Sequence, residues 1–182
     1  RFIEHLDSLF SMELPDRYFA ETEDIMRDGI IGNYVHGNEP SHHVPYLYNF
    51  TNQPWKTQAT TRMILPMQYK AKPDGLGGND DCGQMSAWYI FTALGFYPVA
   101  PGSPNYSVTS PSVQNAVLHL SNGNKFEIKV KHQSAKNKFI QSISLDGVPL
   151  NEPILTHDQL TKGGLLEVTL GPKPKKDLFH NR

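Results

Sequence analysis

Residues 98–112 read PVAPGSPNYSVTSPS. Four prolines and four serines in this stretch rule out a helix, because each proline lacks an amide donor and restrains the residue before it. The periodicity of the chain changes here. Before it, apolar residues recur at helical spacing; beyond it they alternate. Residues 125–131, KFEIKVK, put Phe126, Ile128 and Val130 on one side and Lys125, Glu127, Lys129 and Lys131 on the other, as in a half-buried strand. AVLHL (116–120), FIQSISL (139–145) and LLEVTL (165–170) read as further strands, parted by the turn sequences SNGN, DGVP and KGG. Such strands at such spacings predict an antiparallel sandwich. The expected class is α+β, with a helical part over 1–98, a linker over 99–111 and a β part over 112–182. The basic tail GPKPKKDLFHNR (171–182) is expected to fray.

In the helical part, FIEHLDSLFSM (2–12) spaces Phe2, Leu6, Leu9 and Phe10 along one helix face, which Pro15 ends. A short helix is expected near Ala20 to Met26. Pro40 suits the first turn of a helix carrying Val44, Leu47 and Tyr48, although Pro45 falls in its second turn. Pro54 suits the start of another, with Trp55, Ala59, Arg62 and Met63 on one face and loop from Pro66 to Gly78. DDCGQMSAWYIFTALGF (80–96) predicts a third, marked by Met85, Trp88, Tyr89 and Thr92 and closed by Gly95.

The chain has 182 residues, 38% hydrophobic and 19% charged, as folded globular proteins do. A net charge of −1 supplies no field toward nucleic acid, and the apolar runs are too short to span a bilayer. Cys82 is the sole cysteine, so no intrachain disulfide forms. RFIEHLDSLF does not read as a signal peptide, and without an initiator Met the chain is expected to be processed or a piece cut from something larger. NFT at Asn49 and NYS at Asn105 are glycosylation sequons. No glycine-rich phosphate loop occurs.

Two blocks concentrate chemistry. HGNEPSHH (36–43) holds His36, Asn38, Glu39, His42 and His43. It suits a metal site, sugar hydroxyls or acid–base work, or else a loop in which Asn38 caps a helix opening at Glu39. Adjacent His42 and His43 cannot share one zinc, which argues against a zincin. The second block, PDGLGGNDDCGQ (73–84), sets Asp80 and Asp81 side by side ahead of a helix, where one carboxylate suffices as a cap. Like charges about 4–6 Å apart resist joint ionisation unless donors or a cation compensate. A nearby hard cation, a general base tuned by its neighbour, and a solvated pair all remain open readings. Trp55 either stacks on a sugar or belongs to the core.

Taken together, HGNEPSHHVPYLYNFTNQPWKTQ and PDGLGGNDDCGQMSAWYIFTALGFYPVAPGSPNY resemble the C-terminal part of glycoside hydrolase family 92, the calcium-dependent α-mannosidases. The resemblance implies the terminal helices of an (α/α)6 barrel followed by a β-sandwich part. It implies an inverting, exo-acting hydrolase of terminal α-mannosides in oligosaccharides or N-glycans, using Ca²⁺, in the periplasm or outside the cell. Carried onto this chain, Asp81 matches the general base, assisted by Asp80. Glu39 and Asn38 fall in the calcium environment, and His36 would contact the sugar, with Trp55 as a further sugar-binding residue. The family's general acid lies in an upstream block absent here. These residues are therefore expected to be inactive alone, and uncovered barrel faces to drive self-association. The alternative is a non-catalytic mannose-binding or structural fragment.

Overall fold

The computed structural model describes residues 1–13, 15 and 29–179. The helix expected near residues 20–26 lies outside them. Helix α1 (Phe2–Ser11) buries Leu6 and packs Leu9 and Phe10 against a core with Tyr34. Phe2, expected on that face, is exposed. Asp7 ties α1 down, accepting from Tyr48 Oη at 3.0 Å and pairing with Lys56. A small hairpin follows, β1 (Ile30–Ile31) against β2 (Tyr34–Val35).

Residues 39–50 form two 3₁₀ segments, Glu39–Ser41 and Val44–Phe50, not the expected α-helix. Pro40 and Pro45 have no N–H to give, and the bonds that form are the shorter i to i+3 kind, such as Tyr46 N–H to His43 O. Asn38 makes no side-chain cap.

Helix α2 (Trp55–Gln68) starts after Pro54 as expected but runs through Pro66, where loop was predicted. Pro66 sits exposed with only two helical residues after it, so its missing bond disturbs little of the helix. The buried face is also different from the expected one. It comprises Thr57, Gln58, Thr60, Thr61, Ile64, Leu65 and Gln68, so it is mostly polar. Helix α3 (Gln84–Leu94) buries Met85, Trp88 and Thr92, while Tyr89 stays exposed. Gly95, at φ 102°, ends it and donates to the Phe91 and Thr92 carbonyls.

The β part holds β3 (Phe96–Tyr97), β4 (Asn105–Val108), β5 (Asn115–His119), β6 (Lys125–Lys131), β7 (Phe139–Leu145), β8 (Val148–Pro149), β9 (Ile154–Thr156) and β10 (Gly164–Gly171). One sheet has the order β5-β6-β10-β7-β8 and another β3-β4-β9. The pairings are antiparallel except one: β10 enters between β6 and β7 and runs parallel to β6. A short helix α4 (His157–Lys162), opened by a Thr156–Gln159 capping box, helps make that return. The tail does not fray along its whole length, because Phe179 is buried in the β core.

The stretch 99–111 is not a free linker. It contains β4, and residues 107–111 are buried between the two parts. The contact there is polar. Asn49 Nδ2 donates to Ser107 Oγ at 2.8 Å and to the Val108 carbonyl at 2.7 Å. Thr61 meets Thr109 at 2.6 Å, and Gln58 Oε1 accepts from Ile140 N–H at 2.9 Å. Arg62 donates to the Pro111 and Ser134 carbonyls at 2.8 and 2.9 Å. This accounts for Gln58 and Arg62 on α2: backbone groups of the β part need partners, and these two side chains supply them. Asn49 is also 4% exposed, so its sequon is closed to glycosylation in the folded chain. Replacing Asn49 by Ala strands two buried acceptors and should lower unfolding stability by about 1–3 kcal/mol, read as a lower denaturant midpoint with an unchanged slope.

Candidate active site

Backbone-to-backbone packing brings the two chemistry-bearing blocks together. A Cβ built on Gly37 would stand 2.5 Å from the Gly77 carbonyl oxygen, and one on Gly78 would stand 2.5 Å from Gly37 Cα. Only chains without side chains approach this closely. The loop carrying Glu39 therefore lies directly against the loop carrying Asp80 and Asp81.

The aspartate pair divides into two roles. Asp80 takes the capping work: its Oδ1 accepts from the Ser86 N–H at 2.9 Å and the Ser86 hydroxyl at 3.0 Å. Its main-chain carbonyl accepts from the Gly83 and Met85 N–H groups. Between the cap and the helix, Asp81, Cys82 and Gly83 have φ of 43°, 57° and 94°. This left-handed excursion costs about 1–2 kcal/mol for each non-glycine residue. It bulges outward and leaves Asp81 exposed, with a carboxylate that no side chain or backbone donor among the described residues engages.

His36 does not face solvent. It is fully buried beneath Trp88, with both ring nitrogens engaged. Tyr69 Oη donates to the Met85 carbonyl at 3.0 Å, so it must accept from His36 Nε2, at 2.8 Å. That fixes the tautomer, and Nδ1 accepts from Tyr34 Oη at 2.8 Å. In this arrangement the expected sugar contact has no free ring nitrogen to make it. His42 stacks on His36 and donates from Nε2 to the His36 carbonyl at 3.0 Å. Gln84 Nε2 reaches His42 Nδ1 at 3.3 Å and Tyr97 Oη at 3.1 Å, while Trp88 Nε1 donates to the His42 carbonyl. Burial, with the neighbouring His42 second, lowers the His36 pKa to about 3, and burial also lowers that of His42.

Glu39, His42, His43 and Gln84 line a cleft of about 570 Å³. Glu39 Oε1 is buried without a hydrogen-bond partner, which leaves a carboxylate oxygen suited to a cation. Asn38 beside it is exposed. Calcium needs six to eight oxygens, and no group of three or more His, Cys, Asp or Glu stands together among the described residues. The fit is therefore partial, one anchoring oxygen and not a cage. Trp55 stands at the far end of α2 from Tyr69, about 20 Å along the helix, with Lys176 over its ring at 5.6 Å. It does not join the His36 cluster.

Ser86, Gln84, Tyr34 and Tyr69 were not apparent as site residues from sequence. The one available signal was the pair of polar residues at the start of the apolar α3 run.

The sequence matches the glycosyl hydrolase family 92 catalytic domain over residues 1–172, and the chain belongs to that family. The family GH92 α-mannosidase BT3965 from Bacteroides thetaiotaomicron, in complex with mannoimidazole, superposes with TM-score 0.91 at 43% identity, over 97% of this chain and 23% of that one. The inverting mannosidase BT2199 of the same organism gives TM-score 0.80 at 35% identity, over 96% and 24%. A fungal relative from Arthroderma benhamiae, described as an uncharacterized secreted glycosidase, is 28% identical over 138 residues, 74% of this chain and 18% of its own length. The chain thus spans about a quarter or less of these relatives.

The buried imidazole makes stability pH-dependent. The unfolded chain protonates His36 near pH 6.5 and the folded chain only near pH 3. The contribution is complete above pH 6.5 and is lost as pH falls toward 3, at up to about 1.4 kcal/mol per unit. Denaturant titrations at pH 7, 6 and 5 should show this slope, and His36→Gln should be less stable at pH 7 but flatter.

Proposed function

We propose that this chain forms the base-bearing part of an inverting, calcium-dependent exo-α-mannosidase that removes terminal mannose from oligosaccharides or N-glycans. The observation that carries the reading is Asp81, an exposed and unengaged carboxylate held out by a strained turn beside a tethered Asp80. In this reading Asp81 takes a proton from water as that water's oxygen bonds to the anomeric carbon. Asp80 keeps the water in line. The glycosidic C–O bond breaks on the opposite face, and the departing oxygen receives its proton from an acid outside these residues. Inversion needs the two carboxyls about 6.5–9.5 Å apart, room for one water.

Glu39 would supply one oxygen to the calcium, with Asn38 adjacent. The bound ion would hold vicinal hydroxyls of the mannose and favour a distorted ring. His36 acts from beneath, keeping the two loops and the start of α3 in register, and Trp55 lies away from the sugar. The α helices, with Tyr89, Ile90 and Met67 exposed, suit the closing part of an (α/α)6 barrel whose other helices cover them, and favour self-association where those are missing. The secreted fungal relative and the family's chemistry on glycans support a periplasmic or extracellular setting. No helix among the described residues is long and apolar enough to cross a membrane.

In the complete mannosidase, Asp81→Asn should lower kcat on α-mannobiose by about 10²–10⁴-fold. A calcium chelator should also depress turnover, and re-added Ca²⁺ restore it. Full activity in Asp81→Asn, or indifference to the chelator, overturns the corresponding part of this reading. The 182-residue chain alone should show no turnover.

A further inference from the structure

We infer that Ser86 is a positioning residue of this site, acting through Asp80. The inference rests on the reading of Asp80 and Asp81 above and adds the group that sets their geometry. Two donors from one residue converge on one oxygen: the Ser86 N–H at 2.9 Å and its hydroxyl at 3.0 Å, both on Asp80 Oδ1.

The N–H alone would satisfy the ordinary need of a helix start, since any cap takes an amide from the first turn. The hydroxyl is additional. A serine inside a helix commonly turns back to a carbonyl one turn earlier; here it turns to the carboxylate. A single donor lets a carboxylate pivot about its bond. A second donor on the same oxygen fixes its plane, and a charged acceptor makes both bonds strong.

The consequence is chemical. Oδ1 is fully occupied, so Oδ2 is the only Asp80 oxygen with capacity left for a water. The Asp80 main chain is also pinned, through its carbonyl, to Gly83 and Met85. Asp81 follows it directly, so the same anchor sets where the left-handed turn begins and where the Asp81 carboxylate stands. Ser86 also lines a groove with Tyr69, Leu76, Tyr89 and Ile90, which gives the pair an apolar wall on that side. An apolar wall strengthens both hydrogen bonds by keeping competing water away.

The test compares Ser86→Ala with Ser86→Thr in the complete mannosidase, assayed on α-mannobiose, with thermal melts alongside. Ser86→Ala keeps the N–H bond and loses the hydroxyl; Ser86→Thr keeps both, with groove space for its methyl. Ser86→Ala should lower kcat about 10-fold or more with KM nearly unchanged, as loss of a hydrogen bond to a charged group predicts. Ser86→Thr should retain kcat to within about threefold. Wild-type kcat in Ser86→Ala overturns the inference. So does a Thr variant as impaired as the Ala variant, which would make the site one of packing, or a melt collapse in Ser86→Ala, which would make the hydroxyl structural. Asp80→Asn and Asp81→Asn separate the two levels. If both keep full turnover, the reading of the acid pair fails; if they lose it while Ser86→Ala does not, only the role of Ser86 fails.

Discussion

The approach of one backbone to another at Gly37, Gly77 and Gly78 is the constraint on which the site depends. A side chain at Gly37 or Gly78 would have to occupy space already held by main-chain atoms, and one at Gly77 space held by the Gln68 side chain. Because the contact joins two loops distant in sequence, it converts two separate polar blocks into one surface. Glu39 lies on one side, and Asp80 and Asp81 on the other. Their relative placement is therefore held by main chain packed on main chain.

Beneath that surface lies a polar core whose histidine and tyrosine groups are bonded to one another. Tyr34, His36, Tyr69 and the Met85 carbonyl form one chain of bonds; Gln84, His42 and the His36 carbonyl form another. In a low-dielectric interior such bonds are stronger and each unmet partner costs more, so the network admits few alternative arrangements. It ties β2, the end of α2 and the start of α3 to one imidazole. The same logic operates at the seam between the parts, where Asn49, Gln58 and Arg62 close backbone groups of the β part and Thr61 meets the Thr109 hydroxyl. The helical and β parts are thus joined by hydrogen bonds of fixed direction, which fix orientation better than apolar contact alone.

The aspartate pair shows how local strain controls exposure. A helix start needs one carboxylate, and Asp80 serves, reaching Ser86 across the intervening turn. Asp81, Cys82 and Gly83, ahead of the helix, take left-handed conformation, and their cost is borne by the anchors on either side. What the strain achieves is exposure: Asp81 projects outward while Asp80 beside it is held by Ser86.

The sequence by itself determined the elements whose signal is local. The period-two strands at 125–131 and 139–145 form over the residues expected, α3 ends at Gly95, and the quoted motif blocks carried the family. Each depends on neighbours within a turn or a strand. Tertiary structure decided the rest, because the physical cause lies far along the chain. Polar side chains on α2 turn to backbone groups about 50 residues away or more. The parallel seating of β10 beside β6 follows from a crossover, not from alternation. The expected linker becomes a strand because β3 and β9 flank it. His36 looked like a ligand-binding residue from its motif, and burial under Trp88 made it a support. Spacing places a residue on a face; only packing decides what that face meets.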